Sequence, residues 1–286
     1  MQQPRKVYFI GAGPGDPGLI TVKGAKILQQ ADVVITDRLV SEEILQEYVS
    51  YPAQVIAVGK QGGSNASASQ KEINELLVKK AASYQCVVRL KGGDTSIFSN
   101  ILDELLALNA AGIAYEIIPG ITALSGAAAY TGIPLTAREH ATGVRMLTYY
   151  KHTAIEPDAW RELVAMKDTL VLYMSAASLP AVVDQLLQHG ADGATPFVVV
   201  EQATTPNQYV FSSTLQQYKN QPPLQDFISP SLVIIGKVAG LYQQFAWLPN
   251  DKERVPYFAP LDTLTELFND IKKGNNASRA QAKIVS

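Results

Sequence analysis

Two glycine-bearing stretches, and the acids beside them, carry most of the chemistry that can be read from this chain. The first is VYFIGAGPGDPGLITV, residues 7–22, where an apolar run enters a glycine-rich turn and leaves toward a helix. Such a turn suggests a dinucleotide cradle, in which backbone N–H groups and a helix N-terminus face a pyrophosphate. Gly11 and Gly13 fit that pattern, and Asp37, at the end of the next apolar run, stands where a ribose-binding acid would. The third glycine position is Asp16, whose charge would face the phosphates, and Pro14 and Pro17 remove two amide donors. The loop is therefore expected to be a rigid edge beside a ligand that does not ask for phosphate donors. The second stretch is Gly92, Gly93 and Asp94, which end VVRLKGGD. Two glycines let a chain approach a ligand closely, and Asp94 can accept from a hydroxyl or an ammonium group; a strand-ending turn has the same composition.

Other reactive residue types offer less. The histidines, His140, His152 and His189, show no metal-ligand spacing, so no protein metal site is expected. Cys86 lies in the apolar run QCVVRL and reads as a small buried thiol rather than a nucleophile.

Residues at the ends of apolar runs need strands to hold them. Through residues 1–122, short β-branched runs (KVYFIG, DVVITD, QVIAVG, CVVRLKGGD and AYEIIPG) alternate with helical patterns, the rhythm of βαβ units feeding a parallel sheet. From 123 to 246 the strands are longer and more widely spaced, and TTPNQ separates two strand-like runs as a hairpin turn would, so a second α/β domain with a mixed sheet is expected. Residues 247–286 read as a polar tail in which Leu261, Leu264, Leu267 and Phe268 could share one face of a single helix. The chain of 286 residues is 47% hydrophobic and 17% charged with a formal net charge of −2, the composition of a soluble globular protein with no bulk attraction for nucleic acid. Its apolar stretches are broken by polar residues well before the ~20 that a membrane span requires. The N-terminal MQQPRKVYFIG enters a strand directly, without an apolar segment followed by a cleavage site, which reads as cytoplasmic.

Several blocks, in order, carry a resemblance: GAGPGDPGLITVKGAKIL with ADVVITDRLVSEEIL, VGK at 58–60, VVRLKGGD at 87–94, PGITALSGAAAYTGIPLT at 119–136, LYMS at 172–175 and PSLVIIGKVAGL at 230–241. Together they span about residues 5–246 and resemble the tetrapyrrole methylases, with the DRLVS element similar to the branch that methylates uroporphyrinogen III. The resemblance implies a two-domain class III methyltransferase fold, a homodimer, and S-adenosyl-L-methionine bound between the domains. It places cofactor contacts on Pro14, Gly92, Gly93, Asp94, Ile97, Thr122, Ala123, Met174 and Ala203. Asp37 corresponds to a proton acceptor and Lys60 to a proton donor; an N-capping acid and a solvated loop charge are their plainer roles. The implied substrate is a macrocycle edged with carboxylates, so arginines should line its side, and Arg38, Arg138 and Arg145 are the candidates. The implied reaction is methylation of uroporphyrinogen III at C2 and C7 to precorrin-2, on the way to sirohaem or cobalamin.

The chain departs from the family pattern chiefly after GGD. TSIFSNILDE stands where the family carries Pro-Phe-Ile-Phe-Gly-Arg-Gly-Gly-Glu-Glu, so Thr95 replaces a proline and Asn100 an arginine. Gln61, Ala137 and Ala203 stand where arginine, histidine and glycine are common. These changes spare most of the implied cofactor contacts and thin the charge on the substrate side. Two alternatives follow: methylation of another tetrapyrrole, and a tetrapyrrole- or cofactor-binding protein without catalysis.

Overall fold

The computed structural model describes residues 5–59, 69–149 and 155–258. The chain divides into two units, one running to Thr122 and the other spanning Ala123–Tyr257.

In the first unit the strands β1 (Lys6–Gly11), β2 (Val33–Thr36), β3 (Gln54–Ala57), β4 (Cys86–Lys91) and β5 (Tyr115–Ile118) form a sheet in the order β3-β2-β4-β1-β5. Every pairing is parallel. A parallel sheet needs helical crossovers and is covered on both faces, which explains the near-continuous apolar runs in its strands. Helices α1 (Val22–Leu28) and α2 (Glu42–Tyr48) supply Leu28, Ile44 and Leu45 to one face, against Ile10, Val34, Val88 and Leu90. Helices α3 (Gln70–Ser83) and α4 (Ile101–Ala110) supply Ile73, Leu77 and Leu108 to the other, against Phe9, Val33, Ile35 and Val87. Ser69 and Glu72 close a reciprocal capping box at the start of α3. Because all five strands run the same way, the loops after them gather at one carboxyl edge, where α/β sheets bind ligands.

The second unit begins with α5 (Ala123–Thr131) and continues through β6 (Val144–Thr148), α6 (Pro157–Ala165), β7 (Thr169–Tyr173), α7 (Leu179–Gln188), β8 (Pro196–Glu201), β9 (Tyr209–Thr214), α8 (Leu215–Asn220), β10 (Ser231–Ile235) and α9 (Tyr242–Phe245). Its sheet order is β6-β7-β10-β8-β9, with β6 parallel to β7 and the other pairs antiparallel. β8 and β9 are the hairpin expected around TTPNQ, and the sheet is mixed, as the change of rhythm after residue 123 suggests. The core on one face joins Trp160, Leu179, Val183, Phe197 and Val233.

Residues 247–257, which the sequence marks as the start of a polar tail, pack on the second unit. Asn250 exchanges two hydrogen bonds with the Val210 backbone at 2.8 and 3.0 Å, and Trp247 donates its indole N–H to the Ala129 carbonyl at 2.8 Å. Arg254 reaches the fully buried Glu201 at 2.6 Å and lies over the Tyr209 ring. The helix expected around Leu261, Leu264, Leu267 and Phe268 lies outside the described residues. Among the described residues no helix is long and apolar enough to cross a membrane, and no group of three or more His, Cys, Asp or Glu could hold a metal ion.

Candidate active site

At the carboxyl edge of the first sheet three backbones touch. A Cβ added to Gly120, after β5, would lie 2.4 Å from the Gly93 carbonyl and 2.7 Å from Gly11 Cα. One added to Gly11 would lie 2.6 Å from the Gly120 nitrogen. Only glycine fits such an approach. Gly13 and Gly93, both left-handed with φ of 81° and 70°, then pair with each other, Gly93 donating to Gly13 at 2.7 Å and Gly13 to Gly93 at 3.1 Å. The two glycine-bearing stretches are thus halves of one surface.

Several amides of the first loop are used within the protein. The Ala12 N–H goes to the Lys91 carbonyl, Gly13 to Gly93, Gly18 to the Asp16 carboxylate and Leu19 to the Asp16 carbonyl. Pro14 and Pro17 have no N–H. Asp16 caps the short 3-10 turn Pro17–Leu19, putting a carboxylate where a dinucleotide loop offers its helix N-terminus to phosphate. Ser41 and Tyr48 donate to the Gly15 and Pro17 carbonyls and pin the loop from outside. Four of the loop's amides are thus turned inward, and the Asp16 carboxylate stands at its tip.

Asp94 is buried at this edge. One carboxylate oxygen accepts from the Gly120 N–H at 2.8 Å; the other accepts from the Ser96 N–H at 2.8 Å and from the Ser96 hydroxyl. Burial alone would raise its pKa, but these hydrogen bonds outweigh it and hold the carboxyl below the usual aspartate range. The Thr95 amide adds to these bonds, so the carboxylate's acceptor positions are largely committed within the protein. Asp94 therefore clasps β4's loop to β5's loop before it does anything else.

Asp37 follows β2. One of its oxygens accepts from the Leu39 N–H at 3.0 Å and from the Gly92 N–H at 3.4 Å, which ties the DRLVS loop to GGD. Gly92 is packed on Leu39, whose Cβ would lie 2.7 Å from any added methyl. Pro14, Asp37, Gly92, Gly93, Asp94 and the half-buried Ile97 are therefore brought to one edge, with Arg38 beside them, half-buried. Lys60 lies outside the described residues. Thr95 is buried, and its hydroxyl is the one buried side-chain polar group among the described residues with no hydrogen-bond partner. A proline, the family's residue here, would leave no such group.

The second unit gathers its own candidates at one sheet edge. β7 and β8 are both antiparallel to β10 and hence parallel to each other, so Met174 and Ala203, just past their ends, lie at the same edge. Tyr173 draws the start of α5 to that edge by accepting the Leu124 N–H at 3.2 Å, which brings Ala123 there, directly after Thr122. Met174 adopts a left-handed backbone with φ of 56° and is 48% exposed, so it is not filling the core. The buried Ala203 lies between Gln202 and Thr204, both also left-handed. Non-glycine residues in that region cost about 1–3 kcal/mol each and persist where the surroundings fix them. The fixing groups are visible here: the Thr204 N–H donates to the Gln208 side chain at 2.9 Å, and the Gln202 amide bonds the backbone of Val255 and Tyr257.

The other arginines stand apart from this edge. Arg145, near the start of β6, is paired with Leu170 rather than with the Tyr173 end, and its guanidinium meets Glu162 at 3.2 Å. Arg138 is exposed in a turn whose flanks, Leu135 and Gly143, bond Thr169 at the start of β7.

With the geometry described, comparison with known proteins gives the family. The model for tetrapyrrole (corrin/porphyrin) methylases matches residues 6–219. The chain belongs to the tetrapyrrole methylases. A siroheme synthase from Pseudomonas paraeruginosa is 43% identical over 248 residues, 87% of this chain and 53% of that protein. The chain thus spans about half the length of the curated relatives it matches. A uroporphyrin-III C-methyl transferase from Thermus thermophilus, solved with S-adenyl homocysteine, superposes with a TM-score of 0.69 at 34% identity, over 82% of this chain and 99% of that one. A cobalt precorrin-4 methyltransferase superposes with a TM-score of 0.72 at 29% identity, over 82% and 96% of the two chains. The fold of this tetrapyrrole methylase is accordingly the two-sheet α/β arrangement of class III tetrapyrrole methyltransferases.

Sequence reasoning missed one group at this family member's first edge. Arg89 and Lys91, alternate residues of β4, are buried and share Glu104 of α4, at 2.9 and 3.5 Å. Two cations at alternate positions of an otherwise apolar parallel strand were the available signal, since both must face the same helix layer. Cys86, expected as a buried thiol, is half-buried against the core, and that burial, with the Asp32 charge next in size, pushes its thiol up to about 11.

Proposed function

We propose that the chain is an S-adenosyl-L-methionine-dependent C-methyltransferase that converts uroporphyrinogen III into precorrin-2 by methylation at C2 and C7, serving sirohaem or cobalamin synthesis in the cytoplasm as a homodimer. The observation that carries this reading is the edge at Gly13, Gly93 and Asp94, where inward-turned amides and the carboxylates of Asp16 and Asp94 support a ligand carrying positive charge. S-adenosylmethionine fits such an edge through its ammonium and sulfonium groups. Bound there, it would supply an electrophilic methyl group.

The chain's own residues do the rest. Gly92 and Gly93 allow close backbone approach, and Asp94 faces the cofactor as a buried negative charge that favours its ammonium group. Pro14, Ile97, Thr122, Ala123, Met174 and Ala203 complete the proposed cofactor contacts. A macrocycle that gains a methyl cation must lose a proton, and Asp37, fixed by two amides, takes it in this reading, with Lys60 as donor. Arg38 is the arginine favoured for a substrate carboxylate because it adjoins Asp37; Arg138 and Arg145 are weaker candidates on their placement. The likeness to a solved uroporphyrin-III C-methyl transferase supports the substrate.

The test is anaerobic incubation of the purified chain with S-adenosylmethionine and uroporphyrinogen III, followed by mass and absorbance. A gain of two methyl groups is expected, whereas no gain, with cofactor binding shown separately, would overturn the substrate. Asn100 in place of an arginine favours a second reading, another tetrapyrrole as methyl acceptor, and a panel of tetrapyrroles in the same assay decides between them.

A further inference from the structure

Residues 250–257 lie along the β8–β9 hairpin as a strap. The Asp251 N–H donates to the Gln208 carbonyl at 2.9 Å, and the Asp251 carboxylate turns the strap by accepting the Arg254 N–H at 2.9 Å. Arg254 then grips Glu201 with two nitrogens, at 2.6 and 3.3 Å, and donates to the Gln225 side chain at 2.9 Å. The Val255 carbonyl accepts from both Gln202 and Asn207, at 3.0 and 3.1 Å, and the Tyr257 N–H donates to the Gln202 side chain at 2.6 Å. These contacts converge on one turn. Glu201 and Gln202 immediately precede Ala203, and Asn207 and Gln208 lead from the turn into β9.

Ala203 stands between two left-handed residues, and the strap is tied to what fixes each of them. The Gln202 side chain bonds the strap directly. The Thr204 N–H is held by the Gln208 side chain, and the Gln208 carbonyl is the one that Asp251 takes. Strained non-glycine conformations persist only while their surroundings hold them, so a turn freed from the strap relaxes toward other shapes. Resting on Ala203 as a cofactor contact, we propose that the strap is a latch: docked on the hairpin, it keeps the Ala203 turn in the shape that receives the adenosyl ligand. Arg254 is its positioning residue and acts through the buried Glu201. A latch that favours the ligand must itself be favoured by the ligand, by the same factor.

Two measurements on the whole chain test this, with S-adenosyl-L-homocysteine as the probe. The first is calorimetry on the double variant Glu201→Gln/Arg254→Met, which removes the anchor without stranding a buried charge and keeps an acceptor for the Ile228 N–H. Its affinity should fall about tenfold, as expected if about one tenth of the molecules hold the competent turn. Leu186→Ala, which opens a cavity in the core of the same unit away from the strap, should leave the affinity within about twofold. A double variant that binds like wild type, or a control that loses as much affinity, would reduce the strap to a merely structural role and overturn the proposal.

The second measurement uses the wild-type chain and decides the matter even where the double variant does not fold. Saturating S-adenosyl-L-homocysteine should slow hydrogen exchange at the Asp251 and Tyr257 amides by about the same tenfold, by linkage. The Gln216 amide, bonded to Gly193 in the same unit, should not change. Binding without added protection of the strap amides overturns the latch and leaves the proposed function standing. An absence of binding to the wild-type chain overturns the cofactor reading and the latch together.

Discussion

The two sheet edges solve the same problem with opposite materials. At the edge of the first sheet, backbones meet directly, and the meeting points are glycines: Gly11, Gly93 and Gly120 leave no room for a methyl group. At the edge of the second, the sharp bends at Met174, Gln202 and Thr204 are made by residues for which a left-handed backbone is unfavourable, those at Gln202 and Thr204 held by buried side-chain amides. The first edge takes its shape from what is missing from its side chains. The second takes it from backbone far away in sequence, since the Gln202 side chain is held by the Val255 carbonyl and the Tyr257 N–H. The difference separates local from imposed geometry, and three substitutions with one control probe it.

The largest effect is expected at the glycine edge. Gly120→Ala places a methyl group 2.4 Å from the Gly93 carbonyl, and backbone on both sides cannot yield cheaply. A loss of about 3 kcal/mol in denaturant unfolding is expected. Gly112→Ala is the control: its φ is 65° but nothing lies within 4 Å, so only backbone strain remains, about 1 kcal/mol. Equal losses in the two variants would mean that backbone conformation, and not close approach, is what the glycine edge requires.

This contrast also explains what was legible in the sequence. Glycines at the ends of apolar runs announced the first edge, and the βαβ rhythm announced the parallel sheet beneath it, because both are local patterns. GPGDP was readable as poor in phosphate donors, and the structure turns the Ala12, Gly13, Gly18 and Leu19 amides to Lys91, Gly93 and Asp16. The second edge had no such mark: nothing in LYMS or EQATT signals positive φ, and the packing of 247–257 depends on Asn250, Arg254 and Tyr257 finding partners about 40 to 55 residues earlier in the chain. The pairing of Arg89 and Lys91 with Glu104 was half visible, as alternation in one strand, but its acid comes from a separate helix.

An intermediate effect is expected at Asp94, where the glycine edge depends on one side chain. Asp94→Asn keeps the shape but loses charge-assisted bonds from Ser96 and Gly120, about 2 kcal/mol at neutral pH in the ligand-free protein. The sign with pH follows from the lowered folded-state pKa. The contribution is complete above the ordinary aspartate value of 3.8 and disappears as pH falls through the lower folded value. The stability curves of wild type and variant should therefore converge on acidification below about pH 4. A gap that stays constant to the most acid pH at which the protein folds would show that the carboxylate charge contributes nothing.

The smallest change tests the imposed edge. Asparagine tolerates the left-handed region better than methionine, because its short polar side chain can bond locally. Met174 is half exposed, so its replacement gives up little buried surface. Met174→Asn should leave unfolding stability unchanged or raise it by about 0.5 kcal/mol. Under the proposed function it should weaken S-adenosylmethionine binding several-fold through loss of the thioether contact, as measured by calorimetry. Stability and affinity would then move in opposite directions at one residue, as expected where local strain is kept for a ligand and not for the fold. A variant that loses both stability and binding would instead assign Met174 to packing, and the strained backbone at the second edge would need another explanation.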